Sequence, residues 1–485
     1  CERCDDTVIT PPLRAVQGAR RAARGPRERR PVGAPPYSDA VTTPVPAAAT
    51  RGQVLAWGLW DWGSAAFNTI ILTFVFSVYL TDTVGADLPG PVSANSWLAW
   101  SIGLSGLVLA LLAPVLGTRA DATGRRRRSV GVWTAATVVT MVGLVAVRDD
   151  HRYLALGLVL LGLGSIFIEL AYVSYNAVLR QVSTPATIGR VSAFGWAMGY
   201  FGGIVLLLAV YLGFIAGDGP LRGFLGVPAA DGWNIRLVAL VAAGWFAESA
   251  LPVLLAVPEA PPSRDRPPPS GVAASYRALL HDLRTLYRAD RHTVWFLGAS
   301  ALFRDGLAAV FTFGAVLAVT VYGIAAGDVL VFGVVANVVS AAGALAAGRI
   351  DDRAGPKAVI VGSLLGMLAC GTVLLFLSGP GAFWVFGLGL CLFVGPAQSS
   401  SRTFLCRLAP PGHEGELFGL YATTGRAVSF VAPTLVGVFT WVFGSDRAGI
   451  VGILVVLAAG LAALWPVRPP VDRAAEHQAG GVASG

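Results

Sequence analysis

The chain has 485 residues, 55% of them hydrophobic and only 13% charged, with mean hydropathy +0.66 and formal net charge +8. A soluble domain carries about 25% charge, and a chain this apolar has more apolar surface than one water-soluble core can hide, so lipid is its natural solvent. The basic excess is nearly all arginine, with Lys357 the only lysine, and it falls in loops between apolar runs, which points to membrane topology rather than to nucleic acid.

Residues 1–53, rich in Arg, Pro, Ala and Thr without an apolar period, read as a disordered cytoplasmic tail, and no signal-peptide h-region is expected in it. A membrane helix needs roughly 20 mostly apolar residues. That criterion places spans at 54–80, 95–117, 129–148, 153–178, 191–215 and 235–257, then at 293–322, 328–349, 358–378, 382–405, 416–443 and 447–466. The fold class expected is an all-α membrane protein of twelve transmembrane helices. A six-helix bundle occupies 54–257, a second occupies 293–466, and another disordered cytoplasmic tail fills 467–485.

Arg119 and Arg125 to Arg128 follow span 2, and Arg349, Arg353 and Lys357 follow span 8. The turns after spans 1, 7 and 9 carry no basic residue, so both termini are expected on the cytoplasmic side. Arg148 and Arg152 after span 3 are a mild exception, with Asp149 and Asp150 beside them. The cytoplasmic linker 258–292 starts Pro-rich, then places Tyr276, Leu279, Leu280, Leu283, Leu286 and Tyr287 at helical spacing, with Arg277, Arg284 and Arg288 on another face. This reads as an amphipathic helix, lying either on the inner membrane surface or on the protein's own loops.

One internal repeat is tied to this topology. Gly117, Asp121 and Gly124 after span 2 match Gly348, Asp352 and Gly355 after span 8, at a constant offset of 231 residues. Glycine allows close helix approach and a tight turn. The aspartate can accept from helix N-terminal amides or pair with arginine, holding one side of the protein shut in one state and releasing it in the other. A polar turn with topogenic arginines is the plainer alternative. The gate expected from the motif comprises Gly117, Asp121, Gly124, Arg125, Arg126, Gly348, Asp352, Arg353 and Gly355.

This loop resembles the signature of the major facilitator superfamily. The resemblance implies two six-helix bundles around a central cavity, over about residues 54–466. Ala122 stands where that signature usually has arginine, which shifts the expected first gate toward Arg125. A narrower resemblance rests on Trp60-Asp61-Trp62-Gly63-Ser64-Ala65-Ala66-Phe67 in span 1, Tyr175-Asn176-Ala177 in span 4 and Gly189-Arg190-Val191-Ser192 with Gly195 to Tyr200 in span 5. Asp305-Gly306 in span 7 and Gln398 with Ser401-Arg402 in span 10 extend it. These segments are similar to the vacuole-effluxer-like transporters, which comprise fungal vacuolar amino-acid exporters and many bacterial relatives. The resemblance implies export of amino acids or small peptides. Gly63-Ser64-Ala65 and Arg304 depart from that group's pattern and bear on the substrate.

Ionisable groups at membrane depth are costly and by default mark pathways or relays. Asp61 is flanked by Trp57, Trp60 and Trp62, which suggests an interfacial level; it is either a proton or amine site or an anchor for a loop arginine. Glu169 lies deep in span 4 among Leu and Ile, as a lone carboxylate suited to proton coupling or to an interhelical hydrogen bond. Arg304 and Asp305 point about 100° apart on span 7, so one can face the cavity while the other pairs across helices. Asn68, Asn176, Asn337 and Gln398 either line the cavity or bond between helices. Together with Tyr175 and Arg402 these form the expected substrate or proton pathway, although Arg402 and Arg426 also lie near enough to inner ends to serve the gate.

The chain holds no P-loop motif and its histidines lack metal spacing, so neither an enzyme nor a cofactor or metal is expected. The partners expected are a small-molecule solute and the lipid bilayer, with a monomeric state. The arginine, alanine and glycine bias fits a GC-rich bacterium, hence its plasma membrane. The rivals are a drug or metabolite exporter of the same fold and, in another class, a membrane receptor or scaffold.

Overall fold

The computed structural model describes residues 49–259, 290–410 and 412–469, with isolated positions between 274 and 288. The expected tails before residue 49 and after residue 469, most of the Pro-rich linker, and the leucine face of the amphipathic helix (Leu279, Leu280, Leu283, Leu286) lie outside the described residues. Among the described residues twelve helices are long and apolar enough to cross a membrane. They are α1 (Arg51–Val84), α2 (Ala94–Thr123), α3 (Arg126–Ala146), α4 (His151–Gln181), α5 (Ile188–Ile215), α6 (Ala230–Ala256), α7 (Arg291–Thr320), α8 (Val331–Ala354), α9 (Pro356–Phe376), α10 (Pro380–Leu408), α11 (Glu414–Phe443) and α12 (Asp446–Leu464). Each falls on one apolar run, so the twelve-span architecture expected from the sequence is the one observed.

Several boundaries move outward because polar residues at the ends act as caps. Residues 51–53, expected in the tail, open α1, where Thr50 and Gln53 form a reciprocal capping box. Gly124 closes α2 in the left-handed region at φ 67°. Pro356 and Pro380 sit in the first turns of α9 and α10, where a missing N–H costs nothing.

Two spans are irregular within their length, which the sequence reading missed, and α5 also ends in π geometry over Tyr211–Ile215. α1 is α-helical to Ala65, then widens to π geometry over Ala66–Phe74 and again over Tyr79–Val84, a form frequent at functional sites. α11, expected as one helix, consists of Glu414–Val428 and Val431–Phe443 separated by Ser429 and Phe430.

α1 packs on α5 and α6, and α3 on α4 and α6; in the second half α9 packs on α10, and α12 on α7 and α9. The halves meet through α2 against α11 and α5 against α8. Side chains such as Leu104, Leu107, Phe376 and Trp441 remain exposed, as a hydrocarbon solvent permits. An even number of spans puts the start of α1 and the end of α12 on one side, called the near face below.

Candidate functional site

Three layers of polar contacts join the halves, ordered from the near face inward. In the first, the repeated motif is built from helix ends rather than from loops. Gly117 and Asp121 lie inside α2, Gly348 and Asp352 lie inside the helix that contains α8, and only Gly124 and Gly355 make the turns. Nothing before Gly124 or Gly355 forces the helix to stop. Both copies act on the opposite half in the same way. A Cβ on Gly117 would lie 2.1 Å from the Gly415 carbonyl oxygen, and one on Gly348 would lie 2.7 Å from the Ala193 Cβ. Asp121 accepts from the Glu416 backbone N–H at 2.8 Å, and Asp352 from that of Gly189 at 2.8 Å. Each aspartate therefore caps a helix N-terminus across the interface, α11 and α5 respectively, where the helix dipole favours negative charge.

Arginines complete this layer, though not the expected ones. Arg126 is buried and lies 2.6 Å from Asp121 and 2.5 Å from Glu414, whereas Arg125 is exposed. Asp352 pairs with Arg190 of α5 at 2.7 Å, whereas its neighbour Arg353 is exposed. The reason is geometric: Arg126 opens α3 directly against the end of α2, and adjacent helical residues point apart. Arg180 also reaches Glu414 at 2.9 Å, and Arg407 approaches Asp351 at 3.5 Å. Sequence reasoning missed Arg180, Arg190, Asp351, Arg407 and Glu414. The acidic Glu414-Gly415-Glu416 run at the start of span 11, facing a basic loop, was the available signal.

The second layer centres on Arg402 of α10. Its Nη1 donates to Asp61 and to Asn176, both at 3.2 Å, and its Nε donates to the Ser192 hydroxyl at 3.0 Å. The guanidinium also lies 4.8 Å from the Trp57 ring centre. The Tyr175 hydroxyl donates to Asp61 at 3.0 Å. Asp61 and Arg402 are both buried. Two of the three tryptophans that suggested an interfacial level for Asp61 do not face lipid. Trp57 and Trp60 are fully buried and stack on Tyr175 inside the bundle, and the partner arginine comes from a span, not a loop.

The third layer is at mid-span. Glu169 of α4 is not a lone carboxylate: Arg426 of α11 donates to it at 2.5 Å. Both side chains stay about one-third exposed, at 31% and 35%. They line a pocket with Asn68, Leu72, Ser105, Leu109 and Ser165. Arg304 and Asp305 do diverge. The Arg304 guanidinium covers the Tyr421 ring at 3.8 Å and donates to the Tyr421 carbonyl at 3.2 Å. Asp305 accepts from the Ala432 backbone N–H at 2.7 Å, capping the second piece of α11 within the membrane. Among the described residues Asn337 bonds only its own helix, at the Gly333 carbonyl, and Gln398 is half-buried with no hydrogen bond.

Among the described residues, every hydrogen bond and ion pair found between the halves lies at the Glu169–Arg426 level or on its near side. The near face is sealed, and among the described residues the far side carries no such tie.

Comparison with known proteins accords with this arrangement. A family model described as vacuole effluxer Atg22 like matches residues 180–479. The uncharacterized MFS-type transporter YxiO of Bacillus subtilis is 25% identical over 420 residues, which is 85% of this chain and 94% of YxiO. Autophagy-related protein 22-1 of Aspergillus fumigatus is 28% identical over 329 residues, 60% of this chain and 51% of the fungal protein. Among solved structures, the proton:xylose symporter XylE, a member of the major facilitator superfamily, superimposes with TM-score 0.66 at 15% identity, covering 85% of this chain and 94% of XylE. At that identity the likeness carries the fold alone.

Proposed function

This chain belongs to the vacuole effluxer Atg22-like family of major facilitator transporters, and from that premise we propose that it exports amino acids or small peptides by proton-coupled alternating access. The observation that supports this most is the distribution of contacts between the halves. A near-face seal of capped helix ends, a buried Asp61–Arg402 tie and a part-exposed Glu169–Arg426 pair stand in series. Such a stack has two arrangements: sealed at the near face with the far side free, or the reverse. Rocking between them moves a solute held at mid-span from one side to the other. On this reading the near face is cytoplasmic, since the basic loops lie there, and the protein sits in a bacterial plasma membrane with both termini inside.

The proton would be carried at the Glu169–Arg426 level, where one carboxylate can alternate between an arginine and a proton as the halves separate. The test is transport in proteoliposomes as a function of pH. Glu169→Gln should abolish the pH dependence, and Asp305→Asn should reduce rate without abolishing it. If Glu169→Gln keeps the pH profile of the unmodified protein, proton coupling through this residue is wrong.

A further inference from the structure

The Glu169–Arg426 pair has a feature that the near-face pairs lack. It joins the two halves, as they do, but is one-third exposed in a pocket. In this sealed arrangement the cavity beside the pair is only about 50 Å³, room for a water or two rather than a solute, so a solute enters it only as the pair parts. It is lined by the π-helical stretch of α1 that carries Asn68 and Leu72. Asn68 spends its amide on the Tyr172 hydroxyl at 3.4 Å, leaving its side-chain carbonyl without a hydrogen bond to the described residues. Ser165 is only 8% exposed, lines the same pocket, and its hydroxyl has no hydrogen-bond partner among the described residues. That oxygen is shut off from the cavity while the pair is closed, and a buried hydroxyl left unpaired costs free energy.

The charges decide what kind of ligand fits. With Glu169 ionised, a singly charged solute can take one member of the pair only by leaving the other uncompensated at membrane depth, which is strongly unfavourable. A neutral solute can bond to each member but brings no counter-charge to either, so it replaces the ion pair with weaker bonds. A zwitterion satisfies both members at once, and the site stays electrically neutral before and after binding.

We propose that this pocket is a zwitterion subsite in which a solute's carboxylate takes Arg426 and its ammonium takes Glu169, replacing their mutual bond. The inference deepens the transport reading above and rests on it. Ser165 and the Asn68 carbonyl supply neutral hydrogen-bond positions beside the head group. Leu72 and Leu109 face the rest of the solute. Because Glu169 belongs to the first half and Arg426 to the second, the bound head group becomes part of what holds the halves together. Solute binding is thereby linked to the tie between them without a separate sensor.

The test is calorimetric titration of the purified full chain with three probes of one shape: leucine, leucinamide and 4-methylpentanoate, which are a zwitterion, a cation and an anion. The unmodified protein should bind leucine about tenfold or more tightly than either analogue. Glu169→Gln should weaken leucine by a similar factor and bring 4-methylpentanoate level with it or ahead. Arg426→Gln should do the same for leucinamide. This inversion of preference cannot come from misfolding, and the double variant Glu169→Gln/Arg426→Gln, neutral again, should fold yet discriminate among none of the three. If leucine binds but both single variants keep the original ranking, the pocket assignment falls while the amino-acid reading stands. If leucine, glycine and glutamine all fail to bind at about 10 mM, the inference and the amino-acid reading fall together.

Discussion

Replacing Arg402 with glutamine tests the middle layer most sharply. In the sealed arrangement its guanidinium contacts Asp61, Asn176, the Ser192 hydroxyl and the Ser192 carbonyl, and the pair's side chains are only 5% and 8% exposed. Removing one partner of a buried pair costs about 3–5 kcal/mol, because the other charge is left without compensation. Asp61 keeps its bond from Tyr175, which offsets part of that cost. A net loss of about 2–3 kcal/mol from the sealed state corresponds to a rise of about 30- to 150-fold in the population open at the near face. A native thiol reports on this. Cys406, one turn along α10 from Arg402, is fully buried among Arg126, Arg180, Arg402 and Glu414. With the other cysteines replaced, its labelling rate by a water-soluble maleimide should rise by about that factor in Arg402→Gln. The double variant Asp61→Asn/Arg402→Gln removes the stranded charge and should label more slowly than the single one. Labelling of Arg402→Gln within twofold of the unmodified protein, or a double variant that labels faster still, would refute the reasoning.

The other expectations concern the outer layer and the broken span. Gly117→Val and Gly348→Val place side-chain atoms where the partner helix already lies, 2.1 and 2.7 Å away, so both should prevent near-face closure and raise Cys406 labelling. Arg126→Ala should destabilise the protein by about 3 kcal/mol or more by stranding Asp121 and Glu414, whereas Arg125→Ala should stay within about 0.5 kcal/mol, measured by denaturant melts in detergent. Asp305→Ala should lose about 1–2 kcal/mol with the cap on the second piece of α11, whereas Asp305→Asn, which keeps an acceptor oxygen, should lose less.

Much of the architecture was legible in the chain. Twelve apolar runs give twelve spans, because a span must satisfy its own backbone and so becomes a helix wherever about 20 apolar residues recur. The repeat from Gly117 to Gly124 and from Gly348 to Gly355 located the interface between the halves, since close approach and a helix-capping carboxylate are local needs with local signatures. What the sequence hid is relational. Nothing in it distinguishes Arg126 from Arg125 except the direction in which the first residue of α3 faces. Trp57 and Trp60 look interfacial by type, yet their place is set by Tyr175, more than a hundred residues away. The break in α11 does have a local signal, Pro433, which has no N–H for the Ser429 carbonyl and crowds it, but proline kinks a helix as readily as it breaks one; the break is stabilised here because Asp305 caps the freed N-terminus from another helix.

The central claim is that this chain carries solutes by exposing one mid-membrane site to each side in turn. Counterflow in proteoliposomes tests it directly: vesicles loaded with unlabelled amino acids and diluted into trace labelled leucine, with no ion gradient. Alternating access requires transient accumulation of label inside, abolished in Gly117→Val, whose near face cannot reseal. Failure of any amino acid, dipeptide or drug-like solute to produce counterflow, from vesicles in which the protein is folded and inserted, would contradict the claim and leave a receptor or scaffold as the better account.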